Sequence, residues 1–127
     1  MLRILVVDDE PDIARSLKVG LERKGFIVEA FTNPIEALAN YKSSWYDLLI
    51  IDVRMPQMYG IELVRKIRSR DSKVAVWFLT AFEILRIEFE RMFLDIQADA
   101  LMRKPISINE LAYEISNKLG KIEQVAV

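Results

Sequence analysis

Several stretches of this 127-residue chain end in groups suited to holding a metal ion and a phosphoryl group. The apolar run Ile4-Leu5-Val6-Val7 ends in Asp8-Asp9-Glu10, and Leu48-Leu49-Ile50-Ile51 ends in Asp52. A third run closes on Leu79-Thr80, and Leu101-Met102-Arg103 leads into Lys104-Pro105. Magnesium prefers oxygen ligands, keeps several waters, and usually takes one or two carboxylates plus a phosphate. Asp9 and Asp52 suit that role as ligands, and Asp8 suits it as a carboxylate acting through water. Clustered carboxylates repel one another, so their proton affinity rises until a cation arrives. A divalent ion restores ionisation and lets one carboxylate attack phosphorus, because carboxylates do form acyl-phosphate intermediates. Lys104 offers a point charge to a phosphoryl oxygen, and the Thr80 hydroxyl offers a donor to another.

These residues converge only if the elements before them are strands of one sheet. Short apolar runs predict strands at 3–7, 26–31, 47–51, 73–79 and 98–102. The first, third and fourth are nearly continuous in Val, Ile and Leu, as parallel strands covered on both faces require. Helical patterns fill the intervals. Pro11 suits a first helical turn, Ile13, Leu17 and Leu21 fall on one face, and Gly25 suits the stop. Asn33-Pro34-Ile35-Glu36 and Ser107-Ile108-Asn109-Glu110 have the layout of capping boxes. A third helix is expected at 60–69, with Leu63, Val64 and Ile67 inward, and a fourth at 83–97. In the fifth, Ile108, Leu111, Ile115, Leu119 and Ile122 continue at helical spacing. β-α repeated five times, with right-handed crossovers, predicts a doubly wound α/β fold with a parallel five-stranded sheet. In such a sheet the loops after the first, third, fourth and fifth strands meet at the carboxyl edge.

Composition narrows the chemistry further. The chain has no cysteine and no histidine, which removes disulfides, thiolate chemistry, imidazole bases and a phosphohistidine on this chain. Eighteen basic and nineteen acidic residues nearly cancel, unlike the basic footprint of a nucleic-acid binder, so no direct nucleic-acid contact is expected. The basic stretch 65–70 is read as a solvated helix end that favours cations. The start carries no signal-peptide layout and no apolar run approaches a membrane span, so a cytoplasmic location is expected. The length suggests one domain. Residues 123–127 are expected to form a short tail.

With those residues in place, the chain resembles the response-regulator receiver domain, the CheY-like module of two-component signalling. The resemblance rests on 4–11 (ILVVDDEP), 47–60 (DLLIIDVRMPQMYG), 79–81 (LTA) and Lys104-Pro105, in the family's order and spacing, and covers about 1–122. It implies a flavodoxin-like three-layer sandwich with strand order 2-1-3-4-5. It implies that Asp52 is the phosphoacceptor, that Asp8 and Asp9 hold Mg2+ with the Arg54 backbone carbonyl as a further ligand, and that Thr80 is the switch hydroxyl. It implies that Lys104 contacts the phosphoryl group, in a Lys-Pro bond that is typically cis in this family. A sensor histidine kinase would donate the phosphoryl group. A downstream partner or output domain would read the fourth helix, fifth strand and fifth helix. No output domain is expected within these residues, and the module would be a signalling switch rather than a metabolic enzyme.

The chain departs from the family's pattern in three places. Leu101 stands where receivers commonly carry an inward-swinging Tyr or Phe, so the aromatic half of the switch is missing. Arg54 and Phe82 occupy the variable positions two after the acceptor and two after the switch threonine, where they can tune phosphoryl lifetime. The fourth helix is unusually apolar: Leu85, Phe89, Met92 and Ile96 form one stripe, while Ile84, Ile87 and Leu94 fall elsewhere. A helix apolar on more than one side is deeply buried or at an interface, here a homodimer or partner contact.

Plainer readings stand beside these. Asp8 and Asp9 could cap the first helix, and Asp52 could be an ordinary strand-end residue. The same fold could serve as an interaction module independent of phosphate. A phosphatase of similar topology would need a second acid shortly after the nucleophile, where this chain has Arg54.

Overall fold

A computed structural model describes residues 1–120. The sheet contains β1 (Arg3–Val7), β2 (Ile27–Phe31), β3 (Leu48–Asp52), β4 (Ala75–Thr80) and β5 (Ala100–Arg103), all parallel and in the order β2-β1-β3-β4-β5. Five helices follow the strands: α1 (Pro11–Arg23), α2 (Pro34–Ala39), α3 (Gly60–Arg68), α4 (Arg86–Glu90) and α5 (Ile108–Ile115). α4 runs on into a π-helical turn at Arg91–Asp95, and α5 into another at Ser116–Gly120.

Strand alternation divides the core into two layers. Leu5, Val7, Leu49, Ile51, Val76 and Phe78 face α2, α3 and the turn after α4. Ile4, Val6, Leu48, Ile50, Trp77 and Leu79 face α1 and α5. Every residue of β3 is buried, as a central strand covered on both sides must be. The doubly wound sandwich expected from the sequence is the fold observed. Among the described residues no helix is long and apolar enough to cross a membrane.

Local punctuation largely matches the chemistry of the residues. Asn33 Oδ1 accepts from the backbone N–H groups of Ile35 and Glu36 at the start of α2. Ser107 Oγ accepts from Glu110 N at the start of α5. Gly25 sits at φ 99°, a left-handed conformation that suits glycine. Ile122 and the tail 123–127 lie outside the described residues.

The strand ends differ from the sequence expectation in a way that matters. β3 and β4 each run one residue past their apolar core, so Asp52 and Thr80 are strand residues. The ladder continues because Val53 N donates to Leu79 O and Lys104 N donates to Thr80 O.

Helix four departs most from expectation. The helix begins at Arg86, because Thr80 holds Phe82 in a turn and Glu88 Oε1 accepts from Leu85 N, which caps the helix there. After Glu90 the backbone widens, and Ile96 N bonds back to Arg91 O, five residues earlier. That extra residue shifts the helical phase. The expected stripe is therefore broken: Met92 and Ile96 are buried, while Leu85 and Phe89 face solvent. Ile84 and Phe93 are partly buried against the α2–α3 layer, and Ile87 and Leu94 are exposed.

Candidate functional site

The loops that follow β1, β3, β4 and β5 meet at one edge of the sheet. Asp8 follows β1 directly and is fully buried. Its N–H donates to Phe31 O, and its Oδ1 accepts from Glu10 N at 3.0 Å. Asp8 thus shapes the turn into α1 with one oxygen and keeps the other for the site. The capping alternative is met only in this partial way, since the N-cap of α1 is Glu10, with no side-chain cap bond.

Asp52 is 4% exposed and ends β3 in register with Leu79. Its backbone is pinned from below by Gly60, whose N–H donates to Val53 O. A Cβ at position 60 would run into the Asp52 carbonyl oxygen, so the α3 start can approach β3 this closely only as glycine.

Carboxylate oxygens of Asp8, Asp9 and Asp52 lie within 4.8 Å of one another. Lys104 Nζ stands 2.7 Å from Asp8 Oδ2, 3.4 Å from Asp52 Oδ2 and 4.0 Å from Glu10 Oε1. Its side chain is almost wholly enclosed. Lys104 follows β5, and the Lys104–Pro105 peptide bond is cis.

Electrostatics follow from this crowding. Burial, then the Asp8 charge and a hydrogen bond that protonated Asp52 donates to Asp9, push Asp52 up from 3.8 to about 7, against the pull of Lys104. Burial works to lower Lys104, but Asp8, with Asp52 and Glu10, outweighs it and holds the ammonium above its ordinary value. Asp8 Oδ2 is buried and pairs with the Lys104 ammonium at 2.7 Å. A cluster of three carboxylates facing a single lysine leaves hard oxygen donors with too little positive charge, which fits a small divalent cation such as Mg2+.

Thr80 and Arg54 are oriented away from the acids. The Thr80 hydroxyl donates to Phe82 O and accepts from Phe82 N, both at 3.0 Å. Arg54 sends its guanidinium to Glu88 Oε1 at 3.0 Å, with Phe82's ring centroid 5.9 Å away. Leu101 is partly buried beside a groove lined by Thr80, Ile84, Phe89 and Arg103.

All the acids, Thr80 and Lys104 expected from the sequence thus lie at this one edge. Two participants were not foreseen. Glu88 lacks a Ser, Thr or Asp three residues earlier, the usual sign of its capping role. Arg68, hidden in the basic stretch, is not solvated: it donates to the carbonyls of Ile96, Gln97, Ser72 and Val74.

Comparison with known proteins agrees with this geometry. The family described as response regulator receiver domain matches residues 4–116. The transcriptional regulatory protein TrcR of Mycobacterium tuberculosis is 33% identical over 121 residues, which is 94% of this chain and 46% of TrcR. The chain spans about half the length of several curated relatives it matches. A CheY-like receiver domain structure from Methanospirillum hungatei is 31% identical, with a TM-score of 0.87 and 98% of each chain covered. The response regulator TrrA of Thermotoga maritima, in complex with Mg2+-BeF, is 34% identical, with a TM-score of 0.78, covering 92% of this chain and 98% of TrrA.

Proposed function

Because the chain belongs to the response regulator receiver domain family, we propose that Asp52 is its phosphoacceptor and that Asp8, Asp9, Asp52 and the Arg54 carbonyl hold Mg2+. The observation that carries this is the buried Asp52 carboxylate, set between Asp8, Asp9 and Lys104 at the strand edge. A receiver is a signalling switch, not a metabolic enzyme. Receivers bind Mg2+ at such an acidic pocket and interact with sensor kinases and output domains.

The chemistry proceeds in one displacement. An Asp52 carboxylate oxygen supplies an electron pair to phosphorus, and a P–O bond forms. The P–N bond of a donor phosphohistidine breaks, and its pair returns to the imidazole nitrogen. Bound Mg2+ would supply counter-charge to the carboxylates and the transferring group. Asp52 must be ionised to attack, so a cation that lowers its proton affinity favours the reaction. Lys104 then stands within reach of a new phosphoryl oxygen without moving between elements. Thr80 reaches another by releasing Phe82.

Transfer comes from a sensor histidine kinase in this reading, and the exposed apolar residues near α4 face a partner, an output domain or a second copy. Intact mass after incubation with acetyl phosphate and Mg2+ tests the acceptor role. One phosphoryl adduct that requires Mg2+ is expected. No adduct, in protein shown separately to bind Mg2+, would favour a phosphate-independent interaction module instead.

A further inference from the structure

The start of α4 is attached to the body by few contacts. No residue of Arg86–Glu90 is buried. The principal polar link to the phosphoacceptor loop is Arg54 Nη2 to Glu88 Oε1. That same oxygen accepts from Leu85 N and so caps the helix. The far end is held differently, by Arg68 through Ile96 O and Gln97 O and by buried Met92 and Ile96.

Arg54 is two residues from Asp52, so their Cα atoms are at most about 7 Å apart. An arginine side chain reaches comparably far. In the present structure its guanidinium makes a single contact with Glu88, with the side chains 35% and 19% exposed. Its Nε is buried and has no hydrogen-bond partner among the described residues. A phosphoryl group on Asp52 carries more negative charge and more acceptor oxygens than the carboxylate it replaces. Arginine binds phosphate through paired N–H groups, which a single carboxylate oxygen does not match.

Resting on the phosphoacceptor reading above, we propose that Arg54 is a transferable charge. It pairs with Glu88 while Asp52 is unmodified and turns to the phosphoryl group once Asp52 carries one. The transfer unfastens the start of α4, which then moves about the end that Arg68 keeps fixed. The surface released includes Phe82, Leu85 and Phe89, already exposed. This gives the chain a route from site to surface that needs no aromatic ring at Leu101. Arg54 acts here as a positioning residue, through Glu88.

Hydrogen exchange of residues 83–91, with Mg2+ and with or without beryllofluoride as the phosphoryl mimic, tests the latch. In the unaltered protein beryllofluoride should speed exchange there about threefold, the size of a part-buried ion pair. Glu88→Gln keeps an oxygen for Leu85 N but loses the charge. It should exchange about threefold faster from the outset and respond little to beryllofluoride. Arg54→Gln should do the same, and the double variant should add nothing, because one contact is lost only once. Exchange in Glu88→Gln equal to the unaltered protein, or additive effects in the double variant, would overturn the latch. The mass measurement with acetyl phosphate separates the two levels. An adduct without any helix-four response rejects the latch alone, whereas no adduct in the unaltered protein rejects the acceptor reading and the latch with it.

Discussion

At the carboxyl edge of the sheet, Asp52 and Thr80 end buried strands whose register with Leu79 and Arg103 fixes them. Asp8 and Lys104 are held by bonds to Phe31 O and Thr80 O. Helix four, which lies beside them, has no buried residue in its α-helical part; its start leans on the Arg54–Glu88 pair, and its far end on Arg68 and the buried Met92 and Ile96. One region is over-determined by long-range pairing, and the other is fastened at points. Protein segments that move in signalling come from the less stable end of the molecule. A rigid carboxylate cluster beside a loosely fastened helix is an arrangement in which a change of charge at the first can alter the second.

The sharpest way to break this contrast is to disturb the rigid side. Gly60→Ala places a methyl group against the Asp52 carbonyl and should cost about 3 kcal/mol in urea unfolding. The same change at Gly120, whose Cβ would meet nothing nearer than 3.8 Å among the described residues, should cost less than about 0.5 kcal/mol. Equal costs at the two glycines would mean that the strand edge is not rigid.

Charge at the acceptor gives the next largest effect. The folded protein, without metal, holds a proton on Asp52 up to about pH 7, whereas the unfolded chain releases it near 3.8. Between those values the folded state binds more protons, so this group's contribution to stability falls as pH rises, and it is constant above pH 7. Asp52→Asn removes that loss. It should stabilise the metal-free protein by about 1–2 kcal/mol at pH 8 and by little at pH 4, measured as thermal midpoints. A gain independent of pH would contradict the crowding of Asp52 by Asp8 and Asp9.

On the loosely fastened side the effects should be smaller. Arg68→Ala removes the links to Ser72, Val74, Ile96 and Gln97 and should cost about 1 kcal/mol, with faster hydrogen exchange at 72–76 and 91–99 and little change at the Asp52 strand edge. Leu94 is 75% exposed, so Leu94→Glu should change stability by less than about 0.5 kcal/mol. If helix four is a contact between copies, the same change should abolish any self-association that beryllofluoride induces, read by light scattering. A protein that stays monomeric throughout would remove the homodimer from consideration.

The site was more legible in the sequence than the reporter, for a physical reason. Asp8 and Asp52 follow unbroken apolar runs, Lys104 follows the short strand Ala100–Arg103, and a parallel doubly wound sheet brings such strand ends together whatever the details of the helices. Asp52 and Thr80 fall one residue beyond the expected strands because ladder bonds extend past the apolar run. Helix four could not be read this way. Its phase depends on the wide turn at Arg91–Asp95, which periodicity at 3.6 residues does not contain. Arg68 looked like part of a solvated basic run, because its carbonyl partners are 4 to 29 residues away in sequence. Arg54 was noted for its position, but its pairing with Glu88 spans 34 residues and leaves no local mark.

The acceptor proposed for the phosphoryl group is Asp52 and not its neighbours in the cluster. Borohydride reduces an acyl phosphate on aspartate to homoserine, which marks the acceptor permanently. The protein would be incubated with acetyl phosphate and Mg2+, reduced, digested and sequenced by mass spectrometry, with a chelator control. Homoserine at position 52 alone, and none with chelator, is the predicted result. Homoserine at Asp8 or Asp9, or none anywhere, would contradict it.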